Sequence, residues 1–363
     1  MKRDVIFVGN RLILNEPFER YILRSIRNQL SAIDSVRFFD ESDKDLFLYL
    51  EGLLKSESKL IIVATKNTFT IVGKLLSTIT ADNQILKNQM LIPSRANLLE
   101  NGSYLITHNT SEINVILASE GHRLPPVLIN DEQRMAIIHL FNEELSSAQT
   151  LLEPLAQSFD VRLEFSEQVE GWLKIKIHAR KHGNLSQFIA SAKGLMHHKV
   201  IAAGNIAAYI IEKLATHKKK LSFAESCSGG ALAHFFTSQS GASSVFEGSL
   251  ITYSNTLKAN WLAVDDESIA EHGAVSAEVV LQMSEGAMNV SFADYTLSIS
   301  GVAGPTGGTE TKPVGTVYIS ARSKIAVHTE RFGFEGDRNY IQDQSVLMAV
   351  KMLLNIDREL FFS

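Results

Sequence analysis

The chain has 363 residues, of which 45% are hydrophobic, so it can bury a sizeable core, and its length suggests two or three domains. Its 40 acidic and 35 basic residues give a formal net charge of -5, which excludes an overall basic field for holding nucleic acid. The single cysteine, Cys227, excludes an intramolecular disulfide framework and a cysteine-rich zinc site, and no apolar stretch approaches the roughly 20 residues of a membrane-spanning helix, so we expect a soluble, cytoplasmic protein.

Short apolar runs alternate with amphipathic segments over residues 1–128. The runs "DVIFVG", "SVRFFD" and "KLIIVAT" are bounded by glycine or charged residues, which is typical of strands buried in a parallel sheet. The helical period of the segments between them, such as "FERYILRSIRNQL", predicts crossover helices. The fold class predicted for this part is an α/β layered domain.

Residues 129–203 are predicted to form a connecting helix and a small α+β module. The helix is assigned to "DEQRMAIIHLFNEELSSAQTLLEPLAQ", which has acids at its start. A hairpin is predicted in "VRLEFSEQVEGWLKIKIHAR", and a short helix in "NLSQFIASAKGLM". The basic residues nearby are interpreted as a solvated rim rather than an RNA site, because no Gly-x-x-Gly clamp or aromatic stacking pair accompanies them.

Residues 204–363 are predicted to form a third unit, an α/β domain. Its strands are predicted at "LSFA", "FEGSLITYS", "YTLSIS" and "GTVYISA". Its helices are predicted at "NIAAYIIEKLATHKKK", "GGALAHFFTSQ", "TLKANWLA" and "SAEVVLQMSEGAMNV", with one long helix, "NYIQDQSVLMAVKMLLNIDREL", at the end.

The turn "FAESCSGGAL" contains the only cysteine, between two serines. A buried strand is predicted to end at Ala224 and a helix to begin near Gly229, so Ser226, Cys227 and Ser228 would face the positive end of the helix dipole. Two interpretations stay open here. The turn holds a nucleophile beside free backbone N–H groups, or Ser228 is only an N-cap and Ser226 only a turn residue.

The segment "ITYSNTLKANWLA" carries a lysine close to a predicted helix start. Ser254 or Asn255 can cap this helix, which leaves Tyr253 just before it and Lys258 in its first turn. A cation at that end opposes the helix dipole, and partial burial would lower the lysine pKa further, toward a neutral amine that can take a proton. The alternative is a surface lysine beside a core tyrosine.

A glycine-rich segment, "SGVAGPTGGTETKPVGTVYIS", separates two predicted strands. Its successive N–H groups can form an anion-binding nest, although a long turn has a similar composition. The segment matches neither a Walker loop nor a dinucleotide fingerprint. Farther along, "FGFEGDRNY" places Asp337 where it can cap the last helix and Arg338 where it can reach a phosphate or carboxylate.

Taken together, these motifs resemble the C-terminal domain of the competence/damage-inducible protein A (CinA) family. The resemblance covers about residues 204–355. That domain is a nicotinamide mononucleotide amidase, so the resemblance implies hydrolysis of the nucleotide's carboxamide to the acid with release of ammonia, a step of pyridine nucleotide salvage. It implies no cofactor and no metal. The motifs that carry it, in order, are "AESCSGG", "FEGSLITYSNTLKANWL", "EHGAVSAEVV", "ISGVAGPTGGTETKPVGTVYI" and "GDR".

Carried over by motif, the resemblance implies that Ser226, Tyr253 and Lys258 are catalytic. Ser226 would attack the carboxamide carbon or position the attacking water, neutral Lys258 would activate it, and Tyr253 would relay a proton to the departing ammonia. Backbone N–H groups of residues 228–230 would hold the oxyanion, and the loop 301–309 with Arg338 would take the phosphate. The predicted substrate-binding residues are Cys227, Ser228, Gly229, Gly230, Gly301, Ala303, Gly304, Thr309 and Arg338.

Residues 1–128 resemble the molybdopterin-binding-like domain of full-length CinA proteins, and residues 129–203 resemble their small KH-like linking domain. Arg11 stands where the family has a glutamate, and "KNTFTIVGKLL" replaces a Gly-Gly-Leu-Gly-Pro-Thr loop with trailing aspartates. Those glycines and carboxylates would hold a pyrophosphate and its metal. We therefore expect the first domain to lack the ADP-ribose pyrophosphatase activity of intact relatives and to keep a structural role, for instance in a homodimer.

Two other functions stay open at this point. A non-catalytic regulatory protein would bind pyridine nucleotides at the same site without turnover, and replacement of Lys258 would discriminate the two hypotheses. A molybdopterin-related enzyme acting through residues 1–128 is disfavoured by the missing glycine loop. The expected partner is a small nucleotide substrate, and neither nucleic acid nor a membrane is expected.

Overall fold

The computed structural model describes residues 2–30, 33–130 and 134–363. The chain forms two compact units, Met1–Arg134 and Met135–Ser363. Both units combine strands and helices, which confirms the predicted mixed α/β class. Among the described helices, none has the length and apolar character needed to cross a membrane.

The first unit contains a six-stranded sheet in the order β2-β1-β3-β8-β7-β6. Its first four strands are parallel, whereas β7 and β6 are antiparallel, and β4 and β5 form a separate hairpin. The elements are β1 (Lys2–Val8), α1 (Asn10–Leu14), α2 (Glu16–Arg27), β2 (Ser35–Phe39), α3 (Asp45–Leu53), β3 (Ser58–Ala64), α4 (Lys66–Ile79), β4 (Gln84–Lys87), β5 (Met90–Pro93), β6 (Ala96–Glu100), β7 (Ser103–His108) and β8 (Ser111–Leu117).

The predicted alternation of strands and helices is confirmed only as far as α4. Residues 84–117 form five successive strands with no helix between them, so the alternation predicted for the rest of the unit is wrong. Central strands β1 and β3 are buried on both faces, as their continuous apolar runs predicted. Helix α2 packs on one face of the sheet, and helices α3 and α4 pack on the other.

The second unit begins with a four-stranded antiparallel sheet in the order β10-β11-β9-β12. Helices α5 and α6 pack on one of its faces. The elements are β9 (Met135–Phe141), α5 (Leu145–Ser158), β10 (Val161–Val169), β11 (Trp172–Ala179), α6 (Leu185–Leu195) and β12 (Val200–Ile201).

The hairpin and the short helix predicted in this module are confirmed, but the connecting helix is only partly correct. Met135–Phe141 is strand β9, paired with β11, and only Leu145–Ser158 is helical. A short apolar run such as "MAIIHLF" does not distinguish a strand from a buried helix by its period. The acidic start of that predicted helix, residues 131–133, lies outside the described residues.

The second sheet of this unit has the order β14-β13-β15-β16-β17. Strands β14, β13 and β15 are parallel, and β16 and β17 are antiparallel. The elements are α7 (Ile206–Thr216), β13 (Leu221–Glu225), α8 (Ala231–Thr237), a 3-10 turn (Ala242–Ser244), β14 (Phe246–Ile251), α9 (Asn255–Leu262), α10 (Asp266–His272), α11 (Ala277–Ser291), β15 (Tyr295–Gly301), β16 (Thr316–Ser323), β17 (Val327–Gly333), α12 (Arg338–Ile356) and α13 (Arg358–Phe362).

Helices cover both faces of this sheet. Helices α7, α8 and α12 pack on one face, and α9 and α11 pack on the other. The predicted single helix at the end is wrong in one respect, because it divides into α12 and α13 at Asp357. The Asp357 carboxylate caps α13 by accepting from the Leu360 N–H, and it also accepts from the Tyr295 hydroxyl at 2.6 Å.

One hydrophobic core cluster of the second unit contains residues from both of its sheets. Trp172 and Phe141 of the smaller sheet lie 5.0 Å apart at their ring centres, and Phe141 contacts Phe362 of α13 edge to face at 5.6 Å. The side-chain amides of Asn142 and Asn355 also bond to each other. Because residues 135–363 form one compact unit, a division into separate domains at 1–128, 129–203 and 204–363 stays a proposal.

Candidate active site

The turn between β13 and α8 is locked against the neighbouring strand. Strand β13 ends at Glu225, and residues 226–230 form the turn before α8 begins at Ala231. The Ser226 N–H donates to the Ile299 carbonyl of β15 at 2.9 Å, and the Gly229 N–H donates to the Ser226 carbonyl at 3.1 Å. The next residue, Gly230, has φ of +102°, a conformation that favours glycine. Ser226 is therefore held on both sides.

Lys258 is buried and reaches this turn from the start of the next helix. Helix α9 begins at Asn255, and the Ser254 side chain caps it, as predicted. Only 1% of Lys258 is exposed. Its Nζ lies 3.0 Å from Ser226 Oγ, 2.8 Å from the Thr252 carbonyl and 3.4 Å from the Tyr253 carbonyl. The structure thus joins two of the predicted catalytic residues.

The three neighbours of Lys258 Nζ define what this pair can do. Burial lowers the pKa of Lys258 from its ordinary value, which favours the neutral amine. Two of the neighbours are carbonyl oxygens, which only accept hydrogen bonds and so take the two N–H groups of a neutral amine. The lone pair of the neutral amine is then free to accept the Ser226 hydroxyl proton. Lys258 therefore has the contacts of a general base for Ser226.

The structure also reveals a residue that the sequence analysis missed. Glu225 is fully buried, and its carboxylate accepts from the Ser228 hydroxyl and from the N–H groups of Gly230 and Leu232 through Oε2. Its other oxygen, Oε1, accepts from the Ala233 N–H and the Ser249 hydroxyl. The carboxylate of Glu225, at the end of β13, therefore bonds to the N–H groups at the N-terminal end of α8.

This carboxylate corrects the roles predicted for residues 228–230. Ser228 is not the N-cap of α8, because its hydroxyl donates to Glu225 and the helix begins after Gly230. The N–H groups of Gly229 and Gly230 are already bonded within the protein, so they are not free to hold an oxyanion. In this part of the described chain, the Cys227 and Ser228 N–H groups are the ones that donate to no other residue.

Cys227 contributes its backbone rather than its thiol. The side chain is buried in the core, and burial raises the pKa of the thiol to about 12. Its carbonyl accepts a hydrogen bond of 2.7 Å from the Gln342 side chain of α12. Gln342 is a second residue that the sequence analysis missed, and it ties the turn to the last long helix.

Tyr253 and Arg338 meet at the exposed rim of the site. Tyr253 is 59% exposed, and its hydroxyl accepts from Arg338 Nη2 at 2.9 Å. Arg338 Nη1 donates to the Gly304 carbonyl at 2.9 Å. The Tyr253 hydroxyl makes no hydrogen bond to Ser226 or Lys258 in the described structure. The structure therefore groups Tyr253 with the predicted binding residues and not with the Ser226–Lys258 pair.

The other predicted binding residues lie at the end of β15 and on the segment between β15 and β16. Gly301 ends β15, and Ala303 is buried in the core. Gly304 has φ of +81°, and a Cβ there would lie 2.5 Å from Val314, so both conformation and space require glycine. Thr309 is exposed and bonded to Lys312 through its N–H and its hydroxyl. Among the residues that the structure describes, Arg338 hydrogen-bonds to this segment only through the Gly304 carbonyl.

Comparisons with known proteins show the family to which the chain belongs. The family model described as the CinA C-terminal domain matches residues 203–356. A protein named as competence-damage inducible in Caldicellulosiruptor saccharolyticus is 30% identical over 295 residues, which are 74% of this chain and 71% of the relative. The chain belongs to the CinA family.

Other proteins with CinA or competence/damage-inducible names match a shorter part of the chain. A "CinA-like protein" of Thermotoga maritima is 45% identical over 144 residues, which are 40% of this chain and only 35% of that relative. The crystal structure of a competence/damage inducible protein from Agrobacterium tumefaciens is 32% identical, with a TM-score of 0.41, and covers 43% of this chain and 97% of its own. A competence damage-inducible protein A from Klebsiella pneumoniae gives 33% identity and a TM-score of 0.40, covering 41% and 93%.

Proposed function

We propose that residues 203–363 hydrolyse the carboxamide of nicotinamide mononucleotide to nicotinate mononucleotide and ammonia. The observation that carries this proposal is the buried contact between Lys258 Nζ and Ser226 Oγ at 3.0 Å. A lysine whose pKa is lowered by burial is a suitable base for a serine nucleophile, and such a pair is suited to acyl transfer from an amide. Membership of the CinA family is consistent with this chemistry.

The proposed reaction has two steps. Lys258 takes the hydroxyl proton while Ser226 Oγ bonds to the carboxamide carbon, and the C–N bond then breaks as ammonia leaves with a proton returned by Lys258. Water, activated by the same amine, next attacks the acyl carbon and releases Ser226 and the acid. The N–H groups of Cys227 and Ser228 are the donors we assign to the oxyanion, in place of those of Gly229 and Gly230.

We assign the rim residues to substrate binding. Arg338 carries a fixed positive charge beside the glycine-rich segment 301–309, and it is the cation we expect to meet the substrate's phosphate. Tyr253 holds one edge of the Arg338 guanidinium through its hydroxyl. In this proposal Tyr253 orients Arg338 and contacts the nucleotide, and the proton for ammonia comes from Lys258. No metal is required for these steps.

Replacing Ser226 with alanine tests this function. The full chain and its Ser226→Ala variant are incubated with nicotinamide mononucleotide, and ammonia and the acid product are measured. We expect product from the wild type and at least about a thousandfold less from the variant, because the nucleophile is lost. Ser238→Ala, at an exposed serine that follows α8, is the matched control and should keep wild-type activity.

Binding without turnover would support a different function. If the wild type binds the nucleotide saturably and yields no acid product, the amidase proposal is wrong. The protein would then be a pyridine-nucleotide-binding regulator that uses the same site residues. Equal product from the wild type and Ser226→Ala would instead remove Ser226 from the chemistry.

We further propose that the first unit has no ADP-ribose pyrophosphatase activity and serves a structural role, such as dimerisation. A single residue, Thr65, connects β3 to α4, and it caps that helix in a reciprocal pair of hydrogen bonds with Thr68. This connection has neither the length of a glycine loop nor a carboxylate, since residues 65–79 contain no aspartate or glutamate. This connection would therefore offer no nest of backbone N–H groups to a phosphate and no carboxylate to its metal.

The expected result is that the full chain leaves ADP-ribose intact in the presence of Mg²⁺ or Co²⁺. The assay measures AMP and ribose 5-phosphate, and the Ser226→Ala variant is included so that the C-terminal site does not contribute. Release of AMP by both proteins would contradict the proposal.

A further inference from the structure

The carboxylate of Glu225 lies at a junction of three elements. Glu225 is the last residue of β13, and its side chain accepts hydrogen bonds from the turn, from the first residues of α8 and from β14. All of these bonds are between 2.8 and 3.1 Å. Three of the donors are backbone N–H groups, which never accept, so the ionised carboxylate matches the site.

These contacts surround Ser226 without touching it. Ser226 follows Glu225 directly, and the residues that Glu225 holds on the far side of the turn are Ser228 and Gly230. The backbone of Glu225 is also fixed, because its carbonyl accepts from the Thr252 N–H at 2.9 Å. Thr252 in turn supplies a carbonyl to Lys258 Nζ. One residue therefore links the segment that carries the nucleophile to the segment that orients the base.

The carboxylate also decides which N–H groups remain available. It takes the N–H groups of Gly230, Leu232 and Ala233, and it compensates the positive end of α8 with a buried negative charge. Because these N–H groups already donate to Glu225, the start of α8 would stabilise an anionic group of a substrate only weakly. The Cys227 and Ser228 N–H groups, which precede the occupied ones, are left for the reacting carbonyl.

We propose that Glu225 is a positioning residue for the reaction, which holds the turn so that Ser226 Oγ faces Lys258 Nζ and the Cys227 and Ser228 N–H groups face the substrate carbonyl. This inference rests on the proposed function for its substrate but not for its first test. Glu225 contacts no substrate in this role. It acts through the turn.

Replacing Glu225 with glutamine is the sharpest change, because it keeps the size of the side chain and alters two features. The charge is lost, and one oxygen that accepts hydrogen bonds becomes an NH₂ group that faces N–H donors. The turn must move to relieve those contacts, and a displacement of about 1 Å at a reacting atom is enough to reduce a rate by about a hundredfold. Ser249→Ala is the matched control, since it removes one bond to Glu225 from β14 and none from the turn.

Two measurements on the full chain separate positioning from folding. The first is the rate at which phenylmethanesulfonyl fluoride labels Ser226, followed by intact mass, with Ser226→Ala as the blank. In that reaction the Ser226 oxygen bonds to sulfur, the S–F bond breaks, fluoride leaves and Lys258 takes the proton. The second is kcat and KM for nicotinamide mononucleotide.

We expect Glu225→Gln to lower kcat and the labelling rate at least about a hundredfold while KM changes less than about threefold. Ser249→Ala should stay within about twofold of wild type in both measurements. If Glu225→Gln does not fold, Ser228→Ala replaces it, because this variant loses one of the bonds to Glu225, and its labelling rate should fall about tenfold.

If Glu225→Gln, or its substitute Ser228→Ala, were labelled at the wild-type rate, the inference would be overturned. A rise in KM at unchanged kcat would do the same, since it would mean that Glu225 supports binding only. Failure to label wild-type Ser226 would also overturn it, because no oriented pair would exist. Labelling of the wild type without turnover of the nucleotide would leave the positioning role intact and remove only the proposed substrate.

Discussion

Replacing Lys258 with methionine should lower kcat for nicotinamide mononucleotide at least about a thousandfold, because the base that activates Ser226 is lost. Methionine fills a similar volume and leaves the apolar stem in place, so the variant should fold and bind the nucleotide. Ammonia release measures kcat, and isothermal titration measures binding. Lys193→Met, at an exposed lysine in the last turn of α6, is the matched control and should be fully active.

The pH dependence of the wild type is part of the same prediction. Burial lowers the pKa of Lys258, and only the neutral amine takes the Ser226 proton, so kcat should rise with pH until that lowered pKa is passed. The unfolded chain protonates this lysine more readily than the folded protein does, so the same shift costs stability as pH falls below the ordinary lysine value. Activity of Lys258→Met within tenfold of wild type, or a kcat independent of pH, would contradict the assignment.

Replacing Gly286 with alanine should destabilise the second unit by about 3 kcal/mol, although alanine is normally the better residue in a helix. Gly286 lies in the middle of α11, where a Cβ atom would be 2.0 Å from the carbonyl oxygen of Leu262. Leu262 is the last residue of α9, the helix that carries Lys258. Because α9 must shift to relieve the overlap, kcat should fall as well.

Gly194→Ala provides the comparison. Gly194 lies in helix α6, and a Cβ atom there would meet nothing within 4 Å, so alanine should stabilise the protein by up to about 1 kcal/mol. Urea unfolding followed by tryptophan fluorescence reports on the second unit, because both tryptophans, Trp172 and Trp261, lie in it. Equal stability of the two variants would show that α11 and α9 separate at little cost.

Local patterns in the sequence predicted the turn that carries Ser226 and the helix start that carries Lys258, whereas their proposed catalytic roles came from the family resemblance. A strand that runs into a glycine pair predicts the turn of Ser226, and a serine cap before Lys258 predicts its place in the first turn of α9. The distance between the two side chains depends on the pairing of β13 with β14, where Glu225 lies opposite Ile251. That register is a contact between distant parts of the chain, and no local period contains it.

The features that the sequence analysis missed or misplaced also divide into local signals and contacts between distant parts of the chain. The sequence analysis ends this strand at Ala224 and assigns no role to Glu225, although an acid close to a helix start is a recognisable signal at that position. Strand β17 was not predicted, because its sequence, "VHTERFG", shows little alternation of apolar and polar residues. Its side chains are mostly exposed, as suits an edge strand. The pairing of Tyr253 with Arg338 joins two exposed side chains from α12 and the β14–α9 turn, which are far apart in sequence.

Ser226 and Lys258 both belong to the earlier half of this domain, and this has a consequence for how the sequence can diverge. Both residues, with Glu225, belong to the continuous run β13-α8-β14-α9, whereas Gly304 and Arg338 belong to the later half of the domain. Within the described structure, the hydrogen-bond partners of Lys258 Nζ are Ser226, Thr252 and Tyr253, and none of them lies in the β15–β16 segment. In the proposed reaction, substitutions in the later half would change the range of amides accepted, whereas proton transfer would depend on the earlier half.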